Sequence, residues 1–315
     1  MLSRVADSFY WMSRYLERAE HSARVLDVHI SLTLDDPTDV AGRSLLQAVG
    51  KPPSGPPGST RPSTPATLGP IDPIHRAAVA GCVVAARENG RQIREQISSE
   101  MWEQLNRLYL VAREAERGDS TMEPGAFLRA VVDGAHLFHG VTESTLSHGE
   151  GWQYLQLGKY IERATITSAM LEEYFSEPAN ERRVGPGSDV DSIGLLRACA
   201  AFEAYCRWYT ADLRPERLAE FLLLNADFPR SIRFAVDRLE DSLRAIARQL
   251  GRPANGRPER YAGQLRAVLN YGQIDEIMAD NLVAYVRRIS EQCEQVHSAL
   301  YQTYITYPIE SAIPR

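Results

Sequence analysis

The most constraining feature of the sequence is a row of apolar residues over its first thirty positions. Successive members are four and three residues apart in alternation, a spacing that places them on one face of an α-helix. They are Val5, Phe9, Met12, Leu16, Ala19, Ala23, Leu26 and Ile30. Similar rows run through residues 79–97 and 274–293, and no run of β-branched residues alternates as it would in a strand. The sequence therefore predicts an all-α fold, a multi-helix bundle.

Turn-forming residues divide the chain into separate helices. Residues 51–73 are rich in Pro, Gly, Ser and Thr and offer little apolar surface to offset ordering entropy, so they are predicted to form a disordered loop. Shorter breaks separate the other helices of what we interpret as a single domain over residues 1–315. The predicted helices cover 2–32, 40–50, 75–117 (which an interruption near Ser98–Ser99 would divide), 125–147, 152–176, 189–213, 215–225, 230–250, 258–271 and 273–306.

A five-residue pattern, Tyr-aliphatic-Glu-Arg-Ala, occurs twice in the chain. Residues 15–19 read YLERA and residues 160–164 read YIERA, so the second copy follows the first by 145 residues. Apolar positions that flank the two copies also match at this offset. The repetition predicts an internal duplication around two YxERA helices, with pseudo-repeats at 1–147 and 150–306.

Glu17 and Arg18 of the first copy are predicted to be buried. Seven-residue spacing places Trp11 and Val25 on the same helix stripe as Arg18, away from the apolar row, so this helix is apolar on more than one side. A charged side chain in such a place needs a partner, because an unpaired buried charge costs several kcal/mol. If the two copies pack together, the Glu and Arg of each copy can meet the Arg and Glu of the other.

Two interpretations of these Glu-Arg pairs stand side by side. One is a structural ion network that fixes helix register. The other is a polar pocket for an anionic or amino-acid-like ligand, in which Arg14 and Lys159 hold equivalent positions one turn before each Glu. Glu17 and Glu162 are then the candidate catalytic residues, as buried carboxylates whose raised pKa suits a general base. The candidate substrate-binding residues are Arg14, Glu17, Arg18, His21, Arg24, Glu88, Asn89, Arg91, Arg94, Glu100, Lys159, Glu162, Arg163, Arg230 and Arg233.

Other chemistry has weaker support in the sequence. His136, His139 and Glu143 have a helical spacing that metal ligands can use, with His148 nearby, but no second dense cluster completes a shell, so no metal site is predicted. Neither G-x-G-x-x-G nor G-x-x-x-x-G-K-[ST] occurs, so the chain is predicted to bind no nucleotide cofactor by itself.

Composition narrows the partners and the compartment. The net charge of −6 argues against nucleic-acid or membrane-surface binding, both of which favour a basic surface. No stretch is long and apolar enough to span a bilayer, and no signal peptide is recognised at the start. The four cysteines lie in apolar contexts without a C-x-x-C pair, which predicts reduced thiols and a cytoplasmic location.

Longer blocks of the sequence resemble a known family. The opening MLSRVADSFYWMSRYLERAEHSARVLDV is similar to the start of the bacterial alpha-E family, an all-helical family with a Glu-Arg motif. The stretches AARENGRQIREQISSEMWEQLN, GEGWQYLQLGKYIERA and NADFPRSIRFAVDRLEDSL resemble further blocks of that family. The resemblance runs from residue 1 to near residue 305.

The resemblance implies a companion protein. Alpha-E proteins are typically encoded beside, or fused to, a circularly permuted ATP-grasp protein, and often near a transglutaminase-like protein. ATP-grasp enzymes join a carboxylate to an amine through an acyl-phosphate, so the resemblance implies a role in forming peptide-like amides.

Three hypotheses for the function follow. In the first, the chain is an accessory subunit that binds substrate for an ATP-grasp amide ligase. In the second, it is itself an acyl- or amino-transferring enzyme that uses Glu17 or Glu162 as the base. In the third, it is a scaffold in which the Glu-Arg pairs only hold the helices in register.

Overall fold

A computed structural model describes residues 1–35, 73–117, 122–176, 188–210 and 212–306 of the chain. These residues form twelve α-helices without a strand, which confirms the all-α prediction. The helices are α1 (Ser3–Asp35), α2 (Pro73–Gln92), α3 (Ser99–Ala115), α4 (Pro124–Thr145), α5 (Glu150–Ser176), α6 (Ser188–Ala198), α7 (Phe202–Tyr209), α8 (Pro215–Leu224), α9 (Ile232–Gln249), α10 (Arg257–Tyr271), α11 (Ile274–Asp280) and α12 (Leu282–Leu300). A short 3-10 turn (Arg94–Gln96) follows α2, and a π-turn (Tyr301–Ile305) follows α12.

The predicted helix over 75–117 is two helices. α2 ends at Gln92, and α3 begins after Ser98, whose hydroxyl accepts a hydrogen bond from the Met101 amide at 3.1 Å and so caps the new helix. Pro73 was predicted to end a loop, but it is the first residue of α2, a position that suits proline because no helical hydrogen bond is lost there. The predicted helix 40–50 and the remainder of the predicted loop lie outside the described residues.

Two other predicted helices are also divided. The helix predicted over 189–213 breaks between α6 and α7, where Ala200 adopts a φ of +50°. The helix predicted over 273–306 breaks at Asn281, whose side chain accepts a hydrogen bond from the Ala284 amide at 2.9 Å and starts α12. Neither break has a proline or glycine to mark it, so the apolar spacing predicts one continuous helix across each.

Eight of the helices form two rings of four. Helices α1, α2, α3 and α4 pack each against the next, and α4 returns to α1. Helices α5, α9, α10 and α12 form a second closed ring in the same way. The rings meet through α1 and α5, which are the two helices that carry YxERA. A duplication would produce this arrangement, and the division into two pseudo-repeats stays a prediction.

The crossing of α1 and α5 is unusually close. A Cβ atom on Gly158 of α5 would lie 2.2 Å from the Tyr10 carbonyl oxygen and 3.2 Å from the Ser13 Cβ of α1. Only glycine allows the two backbones to approach in this way. The next turns of both helices carry the Glu-Arg pairs, so the close crossing brings their side chains within bonding distance.

The buried apolar side chains form one continuous core that includes residues of both rings. Within the described ranges, no helix combines the length and the hydrophobicity needed to cross a bilayer. All four cysteines are free thiols; Cys199 and Cys293 are buried, and Cys82 and Cys206 are partly buried.

Candidate functional site

The two Glu-Arg pairs exchange partners across the crossing. Arg163 of α5 donates its Nε hydrogen to Glu17 Oε1 of α1 at 2.6 Å. Arg18 of α1 donates its Nε hydrogen to Glu162 Oε1 of α5, also at 2.6 Å. Each helix thus gives one carboxylate and receives one guanidinium, as in a two-fold interface where equivalent residues trade places. The predicted meeting of the pairs is present in the structure.

Glu162 has a complete set of donors. Its Oε2 atom accepts a hydrogen bond from Arg14 Nε at 2.7 Å, and Arg18 Nη2 lies 3.3 Å from the same atom. The Glu162 side chain has no exposed surface, and the Arg14 side chain is only 2% exposed. Two arginines on one fully buried carboxylate satisfy both of its oxygens, which is the condition for keeping such a charge out of water.

Aromatic residues hold Arg14 in place. Its guanidinium lies 4.7 Å from the centre of the Trp11 ring and 5.5 Å from that of Tyr10. Arg14 Nη1 also donates to the Tyr10 hydroxyl at 3.3 Å, and that hydroxyl is hydrogen-bonded to His297 Nδ1 of α12 at 2.7 Å. The Glu162 side of the crossing is therefore fixed by packing as well as by charge.

Glu17 belongs to a more extended arrangement. Arg230, in the turn before α9, places Nη1 3.3 Å from Glu17 Oε1 and donates from Nη2 to Glu20 Oε2 at 2.6 Å. Glu20 also accepts from Arg24 Nε at 3.0 Å. We call this set the Glu–Arg network; its members are Glu17, Glu20, Glu162, Arg14, Arg18, Arg24, Arg163 and Arg230.

The two ends of the network differ at one pair of equivalent positions. Arg14 donates to Glu162 Oε2, but Lys159, which holds the matching position in α5, forms no hydrogen bond or ion pair with any described residue. Glu17 Oε2 is correspondingly buried, and no described residue donates a well-formed hydrogen bond to it. His139 Nε2 of α4 lies 3.4 Å from Glu17 Oε2, a long contact that helps to lower the pKa of Glu17, and Nε2 has no well-formed hydrogen bond within the described chain. We call Glu17, His139 and Lys159 the open end of the network.

The pKa values of the two central carboxyls contradict the sequence-based expectation. Burial raises the pKa of Glu17, but the charges of Arg163 and Arg230 outweigh burial and hold this pKa well below its usual value. Burial likewise raises the pKa of Glu162, and Arg18 and Arg14 lower it further than burial raises it. Both groups are therefore ionised near neutral pH and are weak bases, so the predicted raised pKa of a general base is wrong.

Burial lowers the pKa of the basic groups at the edge of the network. It lowers the pKa of Lys159 from 10.5 to about 8, the charge of Arg163 lowers this pKa further, and the opposing charge of Glu17 does not make up the difference. Burial also lowers the pKa of His139 to about 4, with the charge of Lys159 as the next cause. His21, which is 5% exposed, has its pKa lowered by burial to about 4 as well. Both histidines are neutral at pH 7.

Several predicted site residues lie outside the network. Glu88 and Arg91 form an exposed pair on α2, with Nη2 donating to Oε1 at 2.6 Å. Arg233 Nη1 donates to the Leu224 carbonyl at 3.3 Å, away from both central carboxylates. The other predicted site residues between Asn89 and Glu100 also lie outside the network. Asn89 donates to the Ala85 carbonyl, the Arg94 guanidinium lies 5.8 Å from the Trp102 ring centre, and Glu100 is exposed. None of the hydrogen bonds or ion pairs of these residues within the described chain reaches Glu17 or Glu162.

Sequence reasoning missed four contributors to the site. Glu20 could have been found, since it lies one turn before Arg24 on the same helix face, the spacing of a stabilising pair. His139 was noted only as a metal candidate. Tyr10 and His297 support Arg14 across 287 residues of chain, and nothing in the sequence links them.

The histidines that were weighed as metal ligands have other contacts. His136 Nε2 lies 3.4 Å from Glu20 Oε1, and His148 stacks on Trp152 with ring centres 3.9 Å apart. In the parts of the chain that the structure describes, no three His, Cys, Asp or Glu side chains are grouped so as to hold a metal ion.

The fold and the site together define a class: an all-helical protein whose two central helices exchange buried Glu-Arg pairs. The chain belongs to the Alpha-E family, described as a predicted alpha-helical domain with a conserved ER motif, and the family's profile matches residues 1–305. The same dipeptide is present here at residues 17–18 and 162–163.

Longer proteins of mycobacteria contain a stretch that is similar to this chain. The chain is 26% identical over 327 aligned positions to an uncharacterized protein of Mycobacterium bovis and to uncharacterized proteins of two strains of Mycobacterium tuberculosis. Each alignment covers 94% of this chain but 35% of the relative, so the chain spans about a third of the length of these curated relatives. No solved structure is detectably similar to it.

Proposed function

We propose that this chain is a helical accessory subunit that binds a substrate for an ATP-grasp amide ligase. One observation carries the proposal: among the described residues, nothing donates a well-formed hydrogen bond to the buried Glu17 Oε2, and nothing accepts one from Lys159, whose pKa the charge of Glu17 affects. A network that served only to join helices would be expected to satisfy these groups, as it does around Glu162. Unsatisfied charged groups at one end favour a site that a ligand completes.

The two other hypotheses have less support. The scaffold hypothesis accounts for the Glu162 end, where each carboxylate oxygen has an arginine, but not for the open end. The hypothesis of an independent enzyme needs a carboxylate that accepts a proton near neutral pH, and the pKa values of Glu17 and Glu162 are both lowered. A binding role requires neither a fully satisfied open end nor a carboxylate with a raised pKa.

The proposed partner is a circularly permuted ATP-grasp protein, with a transglutaminase-like protein as a further candidate. This part of the proposal rests on the family to which the chain belongs. The chain contains no motif for nucleotide phosphates, so the partner would supply ATP and form the acyl-phosphate. The free thiols favour a reducing compartment, and we place the shared reaction in the cytoplasm.

Reconstitution tests this function. The chain and a circularly permuted ATP-grasp protein from the same organism, the proposed partner, would be purified, supplied with ATP and a mixture of free amino acids, and followed by mass spectrometry for amide products. We expect product only when both proteins and ATP are present. Equal product from the ATP-grasp protein alone would contradict the proposal, as would tight ATP binding by the isolated chain in calorimetry.

A further inference from the structure

The open end of the network points to a ligand with two opposite charges. We propose that Glu17, His139 and Lys159 bind the zwitterionic head of an α-amino acid or of a molecule that ends like one. The ligand's ammonium would donate to Glu17 Oε2 and His139 Nε2, and its carboxylate would accept from Lys159. This inference rests on the proposed function and names the chemical class of the substrate.

The first step concerns Glu17. Its side chain is 1% exposed, and Arg163 and Arg230 already occupy Oε1 at 2.6 Å and 3.3 Å, so Oε2 is the oxygen left to a ligand. A buried, ionised oxygen requires a hydrogen-bond donor. His139 Nε2 lies 3.4 Å away; when the neutral ring carries its hydrogen on Nδ1, Nε2 is an acceptor that faces the same donor. Two acceptors side by side suit an ammonium group, which carries several N–H bonds.

The second step concerns Lys159. Lys159 is partly buried, and its Nζ lies 5.4 Å from the centre of the Tyr160 ring without bonding to a carboxylate of the described residues. Glu143, another carboxylate whose charge acts on Lys159, has a side chain that is 64% exposed and is not bonded to it. A desolvated ammonium without a carboxylate is costly, and a ligand carboxylate would supply the missing charge.

The charge balance of the whole network agrees with a ligand that carries a carboxylate. Six cationic side chains, five arginines and Lys159, surround the three carboxylates of Glu17, Glu20 and Glu162. A simple anion would reduce this excess but would face Glu17 Oε2 with a second negative charge. A simple amine would satisfy Glu17 but would add to the excess. A zwitterion meets both requirements in one molecule.

The test uses the isolated chain and titrates it by calorimetry with each of the common free L-amino acids. Every amino acid that binds would be compared with its N-acetyl derivative, which lacks the ammonium, and its amide, which lacks the carboxylate. We expect at least one amino acid to bind and both derivatives to bind at least about tenfold more weakly. Absence of binding by every amino acid, or equal binding by either derivative, would overturn the inference.

A substitution at Lys159 locates the binding. Lys159→Arg keeps the charge but places a longer, forked donor opposite Glu17 Oε2, as Arg14 is placed opposite Glu162 Oε2. We expect this variant to fold normally and to lose binding by at least about tenfold, because the arginine takes the ligand's place on Glu17. Arg107→Lys, a charge-preserving change in an exposed pair with Glu103, is the control and should bind as the wild type does. Unchanged binding in a folded Lys159→Arg variant would contradict the assignment.

The outcomes separate this inference from the proposed function. If the isolated chain binds amino acids but reconstitution with the ATP-grasp protein yields no amide, the ligand assignment stands and the proposed partnership fails. If amide forms only with both proteins and no amino acid binds the isolated chain, the partnership stands and the ligand assignment fails.

Discussion

Arg163 donates to Glu17 across 2.6 Å, and this bond joins residues that are 146 positions apart in the chain. It lies where the two four-helix rings meet, between α1 and α5. An apolar contact at this point would hold the helices together over a range of rotations, whereas a charged hydrogen bond requires one register. The junction therefore fixes the register of the two helices and is also the place where the candidate site is built.

The close crossing of α1 and α5 can be tested at Gly158. An added Cβ would lie 2.2 Å from the Tyr10 carbonyl oxygen, and a backbone atom cannot move aside without moving its helix. We expect Gly158→Ala to lower the free energy of unfolding by about 3 kcal/mol or more, measured by urea denaturation.

Gly140 provides the matched control for this substitution. It lies in the exposed part of α4 with no atom within 4 Å of an added Cβ, so Gly140→Ala should raise the free energy of unfolding by about 0.5–1 kcal/mol. Similar effects of the two alanines would contradict the close crossing.

Arg14, Arg18 and Glu162 compensate one another's charges, so we expect that removing only some of them destabilises the protein. Replacing Arg18 by Met and Glu162 by Leu together still leaves Arg14 buried without its carboxylate, because Arg14 Nε also bonds to Glu162. We expect this double variant to lose about 3–5 kcal/mol of stability, the cost of an uncompensated buried charge.

Adding Arg14→Met to that double variant tests the explanation. The triple variant has no charge left at this end and should recover most of the lost stability, since apolar groups of similar volume can replace a buried ionic cluster. Unfolding free energies from the same denaturation series decide the matter. A triple variant less stable than the double one would mean that Arg14 contributes mainly through its packing against Trp11 and Tyr10.

Part of this site follows from the sequence and part does not. The burial of Glu17 and Arg18, and their pairing with the second copy, could be predicted because a helix that is apolar on several sides leaves its charges no other partners. The difference between Arg14 and Lys159 could not, since it depends on how far each side chain reaches at the crossing. The low pKa of Glu17 was missed for a related reason: burial can be estimated from apolar spacing, but the number of arginines around a carboxylate cannot.

The neutral buried histidines predict a loss of stability in mild acid. The pKa values of His21 and His139 are lowered from 6.5 to about 4 in the folded protein. Between these values the unfolded chain binds protons that the folded chain excludes, so the free energy of unfolding falls as the pH falls from about 6.5 towards about 4, by up to about 1.4 kcal/mol per pH unit for each histidine. Urea denaturation between about pH 4.5 and about pH 7.5 measures the slope before most carboxylates are protonated.

His21→Asn isolates one share of this dependence. Asparagine does not titrate, so the free energy of unfolding of the variant should fall less steeply than that of the wild type over the same pH range. A slope equal to that of the wild type would show that His21 remains protonated or exposed in the folded protein.

The Lys159 ammonium, which pairs with no carboxylate of the described ranges, predicts an unusually reactive amine. Its pKa is lowered to about 8, mainly by burial, so about half of the side chain is the neutral nucleophile at pH 8, whereas an ordinary lysine is almost fully protonated there. The rate of acetylation by acetic anhydride, followed by mass spectrometry of the peptide that contains Lys159, should rise with pH and level off above a midpoint near pH 8. A rate that keeps rising past about pH 10 would show that a carboxylate holds the ammonium in its charged form, and the open end of the network would then be closed.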